Sequence, residues 1–316
     1  MDILCIAIAL LLDKGLQEPP RFHPLVGFGH LAQHLEQALN KNNKRWLKGT
    51  LATLLLILPL PLFFTALPSM PAWATLLYTA PLLYLTIGYQ SLKDHANAIK
   101  NPLTAGDLPA ARHAVGRIVS RQTEKMDEPQ VARATIESIF ENGNDALFAT
   151  LFWFSILGLP GALLFRLVNT LDAMWGYRTV RYEWFGKTAA RLDDFMGYVP
   201  ARLTALCYML AGHTRPAWQA ITTQAKHWNG VNPGVVMAAG AGAIGVILGG
   251  TAQYHGHTKE RPQLGFGQSA SGKAIDEAQH LVQKALWIWL TFSVLLDLLF
   301  SNVGSNPYMF FLFYEG

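Results

Sequence analysis

The apolar positions of this chain fall in blocks rather than in alternation. Residues 47–67 form a continuous apolar run, and a helix needs roughly 20 such residues to cross a bilayer core. Pro59 and Pro61 predict a kink or an early end within it. Pro68 and Pro71 punctuate a turn, and residues 73–88 are apolar again, so 47–88 is predicted as a transmembrane hairpin. Lys41, Lys44 and Arg45 precede it and Lys48 is its second residue, which places that end in the cytoplasm. The N-terminal apolar run 3–12 is too short to span and has neither a basic leader nor a small-residue cleavage site. An interfacial or half-length helix is expected there.

Residues 89–145 are polar and read as a cytoplasmic helical loop. Asp107 is placed to cap a helix, whose apolar spacing continues to residue 121 and puts Arg117 and Arg121 on one face. A second helix is predicted from Asp127-Glu128-Pro129, with Pro129 in its first turn. Residues 146–168 then have the length of a span, but Gly158, Pro160 and Gly161 interrupt them. Both flanks are basic, so the positive-inside rule puts both on one side. A broken, re-entrant pair of half-helices satisfies that; a straight span does not.

Beyond a short helix at 203–211, residues 235–250 are rich in Gly and Ala, which predicts close helix packing. They show no phosphate-loop spacing. A polar loop at 253–284 and a last apolar segment at 285–300 follow. The expected fold is all-α: one membrane-embedded, polytopic domain over 1–316, with amphipathic cytoplasmic helices. Its parts are the hairpin 47–88, the cytoplasmic helical loop 89–145, the broken apolar segment and polar signature 146–211, and the Gly-rich helix, polar loop and C-terminal helix 212–316.

Composition agrees with a membrane protein. Only 15% of the 316 residues are charged, against about 25% in soluble domains. The net charge of +4 follows from basic residues flanking apolar segments, and nucleic-acid binding is not expected. Cys5 and Cys207 both lie in apolar stretches and form no metal or disulfide pattern.

Three clusters could carry chemistry. Asp13, Glu18 and His23 lie along a proline-stiffened loop. Glu137, Glu141 and Asp145 recur at helical spacing, and carboxylates so placed repel unless a cation sits between them, which suits Mg²⁺. The densest run is Asn169 to Arg181, followed by Arg191, Asp193 and Asp194. There Asn169 and Asp172 share a face, as do Arg178 and Arg181, and arginine forks bind phosphate or carboxylate. A solvated acidic helix end or a structural salt-bridge network would use the same residues.

These residues carry a resemblance. Leu12-Asp13, Glu18-Pro19-Pro20 and His23-Pro24, the basic run 117–121, the stretch 134–145, Asn169-Thr-Leu-Asp172 with Gly176-Tyr177-Arg178, Arg191-Leu-Asp193-Asp194, Pro200-Ala-Arg202, Asn232-Pro233-Gly234, Leu248-Gly249-Gly250 and Arg261-Pro262 all match. Over nearly its whole length the chain resembles the adenosylcobinamide-phosphate synthases of cobalamin biosynthesis, the CbiB/CobD family. The chain departs from that pattern at Gly143-Asn144-Asp145-Ala146, where the family commonly has Thr/Val-Val-Asp-Gly, and between Trp228 and Met237, where it is less regular; Gln17 also stands where the family often has Gly.

The resemblance implies an inner-membrane, multi-pass ligase with its active site facing the cytoplasm. It would use ATP and Mg²⁺ to join aminopropanol, or its O-phosphate, to adenosylcobyric acid. It also implies contact with membrane lipid, and a homo-oligomer or a complex with other membrane enzymes of cobalamin assembly. On that basis Glu141, Asp145 and Asp172 are the expected metal ligands. Arg117, Arg121, Arg178, Arg181 and Arg191, with Tyr177, are expected to bind nucleotide and corrinoid, and Trp175, Tyr182 and Trp184 to widen the corrinoid platform. Asp194 or His23 would be the base, with Asp193 and Asn169 beside them. The competing readings are a non-catalytic corrinoid- or nucleotide-binding scaffold and a transporter.

Overall fold

The computed structural model describes residues 2–19, 23–41, 43–68, 70–254 and 257–302. Pro20 of the acid–proline motif lies outside the described residues. The fold is mostly helical. Helices α1 (Asp2–Leu16) and α2 (Pro24–Leu39) precede α3 (Arg45–Ile57), α4 (Pro59–Thr65) and α5 (Ala72–Tyr84). Then come α6 (Tyr89–Thr104), α7 (Leu108–Val115), α8 (Glu128–Gly143), a π-helical turn (Asn144–Phe148) and α9 (Ala149–Trp175). The C-terminal half holds α10 (Lys187–Ala211), α11 (Thr214–Thr223), α12 (Val231–Ile244), strands β1 (Val246–Tyr254), β2 (His257–Leu264) and β3 (Gln268–Ser269), and α13 (Gly272–Asn302).

The apolar run at 47–67 becomes α3 and α4, which continue each other past Leu58 as a 21-residue stretch, Arg45–Thr65, of mean hydropathy 1.9. Pro59 and Pro61 fall in the first turn of α4, where their missing N–H groups need no partner. Leu51, Leu55, Leu62 and Phe63 are exposed along it, as are Trp73 and Leu77 of α5. Apolar surface of that extent suits lipid rather than water. α1 buries Cys5, Ile6 and Ala9 and packs on α5.

The second stretch long and apolar enough to cross a membrane is Glu128–Trp175. As one straight helix it would measure about 70 Å. It folds back instead. Gly158 takes φ 63° and ψ −155°, a backbone state open to glycine and costly for other residues. Pro160 begins the second arm. The arms lie side by side: a Cβ on Gly161 would come within 2.4 Å of the Trp153 carbonyl oxygen. Further along, Ala146 and Arg166 line one cleft, although twenty residues of straight helix would part them by about 30 Å. The interruption read from Gly158 to Gly161 is therefore a helical fold-back.

Two apolar cores flank the fold-back. The larger joins α1, α5 to α8, α10 to α13 and the first arm. The smaller packs α2, α3 and α10 around the second arm through Phe165, Leu171, Trp175 and Phe185. Close helix packing at the Gly-Ala segment holds: a Cβ on Gly240 would meet the Phe140 ring at 2.6 Å.

Two expectations are corrected. The fold is not all-α. Gly245, at φ 68°, ends α12 in the left-handed state, and the chain leaves it as β1. The polar loop 253–284 resolves into β2, β3 and the first turns of α13. The sheet has order β2-β1-β3, antiparallel between β1 and β2 and parallel between β1 and β3. The second correction concerns α7, which Asp107 does cap. It stops at Val115, so Arg117 and Arg121 share no helix face.

Candidate functional site

The π-helical turn lies where the first arm leaves α8, and such turns insert one residue into a helix and re-aim its side chains. Here Asn144 faces Thr204 of α10, and Asp145 faces Arg166 and Asn169 of the second arm. Gly143 precedes it against Tyr208, whose hydroxyl oxygen would lie 2.5 Å from a Cβ. This chain therefore has glycine at the first departure from the family pattern because an aromatic ring fills the space a branched side chain would need.

A chain of polar contacts follows. Thr204 Oγ1 donates to Asn144 Oδ1 at 2.9 Å, and Asn144 Nδ2 donates to Asp145 Oδ1 at 2.8 Å. The Asn169 amide sits between Asp145 and Asp193 and donates to Asp193 Oδ1 at 3.1 Å. Arg166 faces Asn169 Oδ1 at 3.4 Å. One neutral amide thus holds two carboxylates from different helices.

Glu141, Asp145, Asp172, Asp193 and Asp194 act on one another electrostatically. Burial, then the charges of Asp145 and Asp172, push the Asp193 carboxyl up to about 8. A set of oxygen donors carrying excess negative charge fits a hard divalent cation in kind and in charge. Among the described residues no three His, Cys, Asp or Glu side chains close into a ready metal cage. The structure gathers Glu141, Asp145 and Asp172 into one neighbourhood without closing them around a point.

Two clefts reach the edge of this network, one through Arg166 and the other through Glu141, and they share Ile118, Ser138 and Asn142. The first, about 270 Å³, carries Glu18, His23, Ser91, His95 and Arg166 on its walls. Among the described residues Arg166 forms no direct ion pair, although it feels the charges of Asp145 and Glu18, and its buried Nε has no hydrogen-bond partner. His23 caps α2: its Nδ1 accepts the Leu25 N–H at 3.2 Å. Burial lowers the ring's proton affinity. With Nδ1 accepting, the neutral ring carries its hydrogen on Nε2, so His23 is built as a donor and a cap rather than as the expected base. Asp13 plays a matching part, accepting the Gln90 N–H at 2.8 Å in the first turn of α6.

The second cleft, about 340 Å³, is lined by Arg121, Glu141, Tyr177, Trp228, Met237, Lys259 and Arg261 among others. Glu137 is its buried hub. It receives Arg121, both terminal nitrogens of Arg261 at 2.8 and 3.0 Å, and the Gly249 N–H at 2.9 Å.

The other expected binding residues scatter. Arg181 pairs with buried Glu36 through Nε and Nη2 at 3.0 and 2.6 Å, locking the 176–186 loop to α2. Arg117, Arg178 and Arg191 are exposed and line neither cleft. The loop that carries Arg178 and Arg181 is not helical, so they share no helix face. Trp175 is buried edge-on to Phe185, with ring centroids 5.1 Å apart, and offers no platform. Tyr182 lies beneath Arg181, and Lys187 covers the exposed Trp184; only Tyr177 of that aromatic set faces a cleft. Arg166, His95, Trp228 and Arg261 were missed as site residues. Arg166 had a signal, being a lone arginine inside an apolar run.

The family described as CobD/Cbib protein matches residues 6–282. A "Cobalamin biosynthesis protein CobD" of Chromobacterium violaceum is 50% identical over 96% of this chain and 99% of its own length. Another of that name from Stutzerimonas stutzeri is 50% identical over 91% of this chain and 95% of its own. A "Probable cobalamin biosynthesis protein CobD" of Pyrococcus furiosus is 43% identical over 66% of this chain and 73% of its own. No solved structure matches. With the match running from α1 into α13, the chain belongs to the CobD/Cbib family.

Proposed function

We propose that this protein acts in cobalamin biosynthesis as a multi-pass inner-membrane ligase, joining aminopropanol or its O-phosphate to a propionate carboxylate of adenosylcobyric acid at the expense of ATP. The observation that carries the reading is the pair of unlike clefts meeting at Ser138 and Asn142 beside the carboxylate–asparagine network. The first cleft carries Glu18 and Arg166, whose Nε has no hydrogen-bond partner. Those charges match the ammonium and phosphate ends of a small amino-alcohol phosphate. The second cleft is larger and offers Tyr177 and Trp228 to one edge of a flat macrocycle. The basic residues flanking the fold-back support cytoplasmic access.

A carboxylate is a poor electrophile. In the proposed reaction its oxygen attacks the γ-phosphorus of ATP, and ADP leaves. The amine nitrogen then attacks the acyl carbon, inorganic phosphate leaves, and the amine's proton passes to a base. Asp193, held with a high proton affinity near neutrality, and the exposed Asp194 are assigned that part. Mg²⁺ would neutralise phosphate charge, with Glu141, Asp145 and Asp172 as its oxygen donors. Asn169 fixes the geometry of Asp145 and Asp193, and Arg166 orients the amine substrate through its phosphate.

The test is ligation by detergent-purified protein given adenosylcobyric acid, aminopropanol O-phosphate, ATP and Mg²⁺, read by mass spectrometry. A corrinoid heavier by the amine less water supports the ligase. Corrinoid binding without product would replace it with a non-catalytic binding role.

A further inference from the structure

A third cleft opens on the far side of Arg121 from the carboxylate network. It lies between residues 121–133 and strands β1 and β2 and measures about 100 Å³. That is well under the ~300–1,000 Å³ of pockets that enclose drug-sized ligands. Arg121, Lys125, Arg133 and Arg261 line it, with Gln122, Gln130, Thr251 and Gln253. Among the described residues no Asp or Glu side chain does. Glu137 is the carboxylate ion-paired to this group, and it binds Arg121 and Arg261. Four cations are therefore held against one carboxylate.

The donors are not all engaged. Arg261 is fixed by Glu137 and by the carbonyls of Gly249 and Gly250. Arg121 binds Glu137 through Nη2 alone. Arg133 gives one nitrogen to the Gly249 carbonyl at 2.9 Å, and its Nε is buried with no partner. Among the described residues Lys125 forms no ion pair. Like charges gathered this closely with free N–H groups repel one another unless an anion joins them. Planar arginine forks match phosphate oxygens. The β-bulge between Leu248 and Gly250 turns the backbone so that the Gly249 carbonyl can anchor Arg133. Glu141, on the wall of the second cleft, acts electrostatically on Arg121 from the other side.

We propose that this basic cleft is a polyphosphate subsite that holds the phosphate tail of the nucleotide, with the terminal phosphoryl group at Arg121, where the third cleft meets the second. The assignment rests on the ligase reading for its purpose and on the cleft alone for its chemistry. It places the nucleotide on the β-hairpin side of α8, away from Arg178, Arg181 and Arg191.

The test is binding of inorganic pyrophosphate to the detergent-purified full-length protein, by calorimetry, with the ATP KM measured in the ligation assay. Lys125→Glu alters an exposed side chain, and Arg133→Lys keeps a donor for the Gly249 carbonyl; both are expected to weaken pyrophosphate binding tenfold or more and to raise the ATP KM. Lys41→Ala, remote from the cleft, should change neither. Pyrophosphate binding that is absent from the wild type, or unchanged in Lys125→Glu and Arg133→Lys, overturns the subsite. Ligation with an unchanged ATP KM in those variants overturns it too, while leaving the ligase standing. Loss of pyrophosphate binding in the variants of a protein that makes no product keeps the subsite and removes the ligase.

Discussion

Glu137 of α8 and Arg261 of β2 form a two-pronged ion pair, with both terminal nitrogens of the arginine on the carboxylate at 2.8 and 3.0 Å. The contact docks the β-hairpin on the helix that leads into the fold-back. Glu137 is 3% exposed, so its charge is tolerated only because Arg121, Arg261 and the Gly249 N–H surround it. Glu137→Gln removes the charge and leaves two arginines without their anion. Breaking one side of a buried pair costs roughly 3–5 kcal/mol. Glu137→Gln is expected to release the hairpin first, read as proteolytic cleavage within residues 249–265 at a protease level that spares the wild type. Equal resistance in the two proteins would show that packing rather than the ion pair holds the hairpin.

Gly143 tests the π-helical turn. A Cβ there would strike the Tyr208 hydroxyl, and that ring is fully buried against Phe140 and Phe148. Gly143→Val overpacks this site, and such insertions cost about 1–3 kcal/mol. Pairing it with Tyr208→Phe, which removes only the hydroxyl oxygen that the Cβ would strike, should return most of the lost thermal stability. If the double variant is no better than the sum of the singles, Tyr208 is not the reason glycine is required.

Gln17 is another departure from the family pattern. It ends α1 at φ 57°, with its N–H on the Asp13 carbonyl. A left-handed helix end favours glycine, and the strain on a side chain there is about 1 kcal/mol. Gln17→Gly is therefore expected to raise the melting temperature by a few degrees without changing ligation. A fall would mean that the Gln17 side chain makes up for its backbone.

How much was legible in the sequence follows from which forces act locally. The break at Gly158 was readable because glycine and proline act through their own backbones, and the two basic flanks demanded a return to one side. Spacing alone left Asp145 in one cluster and Asn169, Asp172 and Asp193 in another; only the family resemblance joined Asp145 to Asp172. The sheet was not readable. Residues 246–254 lack strict alternation, and a single left-handed Gly245 decides where the helix stops. Nor could spacing show that Arg181 pairs with Glu36, or Arg121 with Glu137, since both partners arrive from other elements. Charge at the right position signals an ion pair and a ligand site equally.

Asp13 gives the pH dependence. Burial pushes its carboxyl up to about 6, helped by Asp94 and Glu18 and opposed by the Gln90 N–H and Lys93. An ordinary aspartate in the unfolded chain titrates near ~3.9. The folded state therefore holds this proton more tightly, and stability falls as pH rises from about 4 through about 6, then levels off. Two pKa steps correspond to at most about 3 kcal/mol. Asp13→Asn keeps an acceptor for Gln90 and removes the slope. Its melting temperature should exceed that of the wild type at pH 7.5, and the two should converge near pH 4.5. Parallel curves would mean that the carboxylate is solvated better than its burial implies.

The carboxylate network makes the sharpest demand on a metal. Asn169 is the neutral donor that lets Asp145 and Asp193 approach each other. Asn169→Asp keeps the shape, removes the donor and adds a charge among Glu141, Asp145, Asp172 and Asp193. Without a cation this variant should be less stable than the wild type, because a like charge has entered a desolvated site. If Mg²⁺ binds there, its stabilisation grows with free ion as RT ln(1 + [Mg²⁺]/Kd). Asn169→Asp should then gain more melting temperature from millimolar Mg²⁺ than the wild type does. Asp145→Asn and Asp172→Asn should gain less. If Mg²⁺ moves all four melting curves equally, the ion stabilises the protein from elsewhere, and these acids serve proton transfer or structure instead.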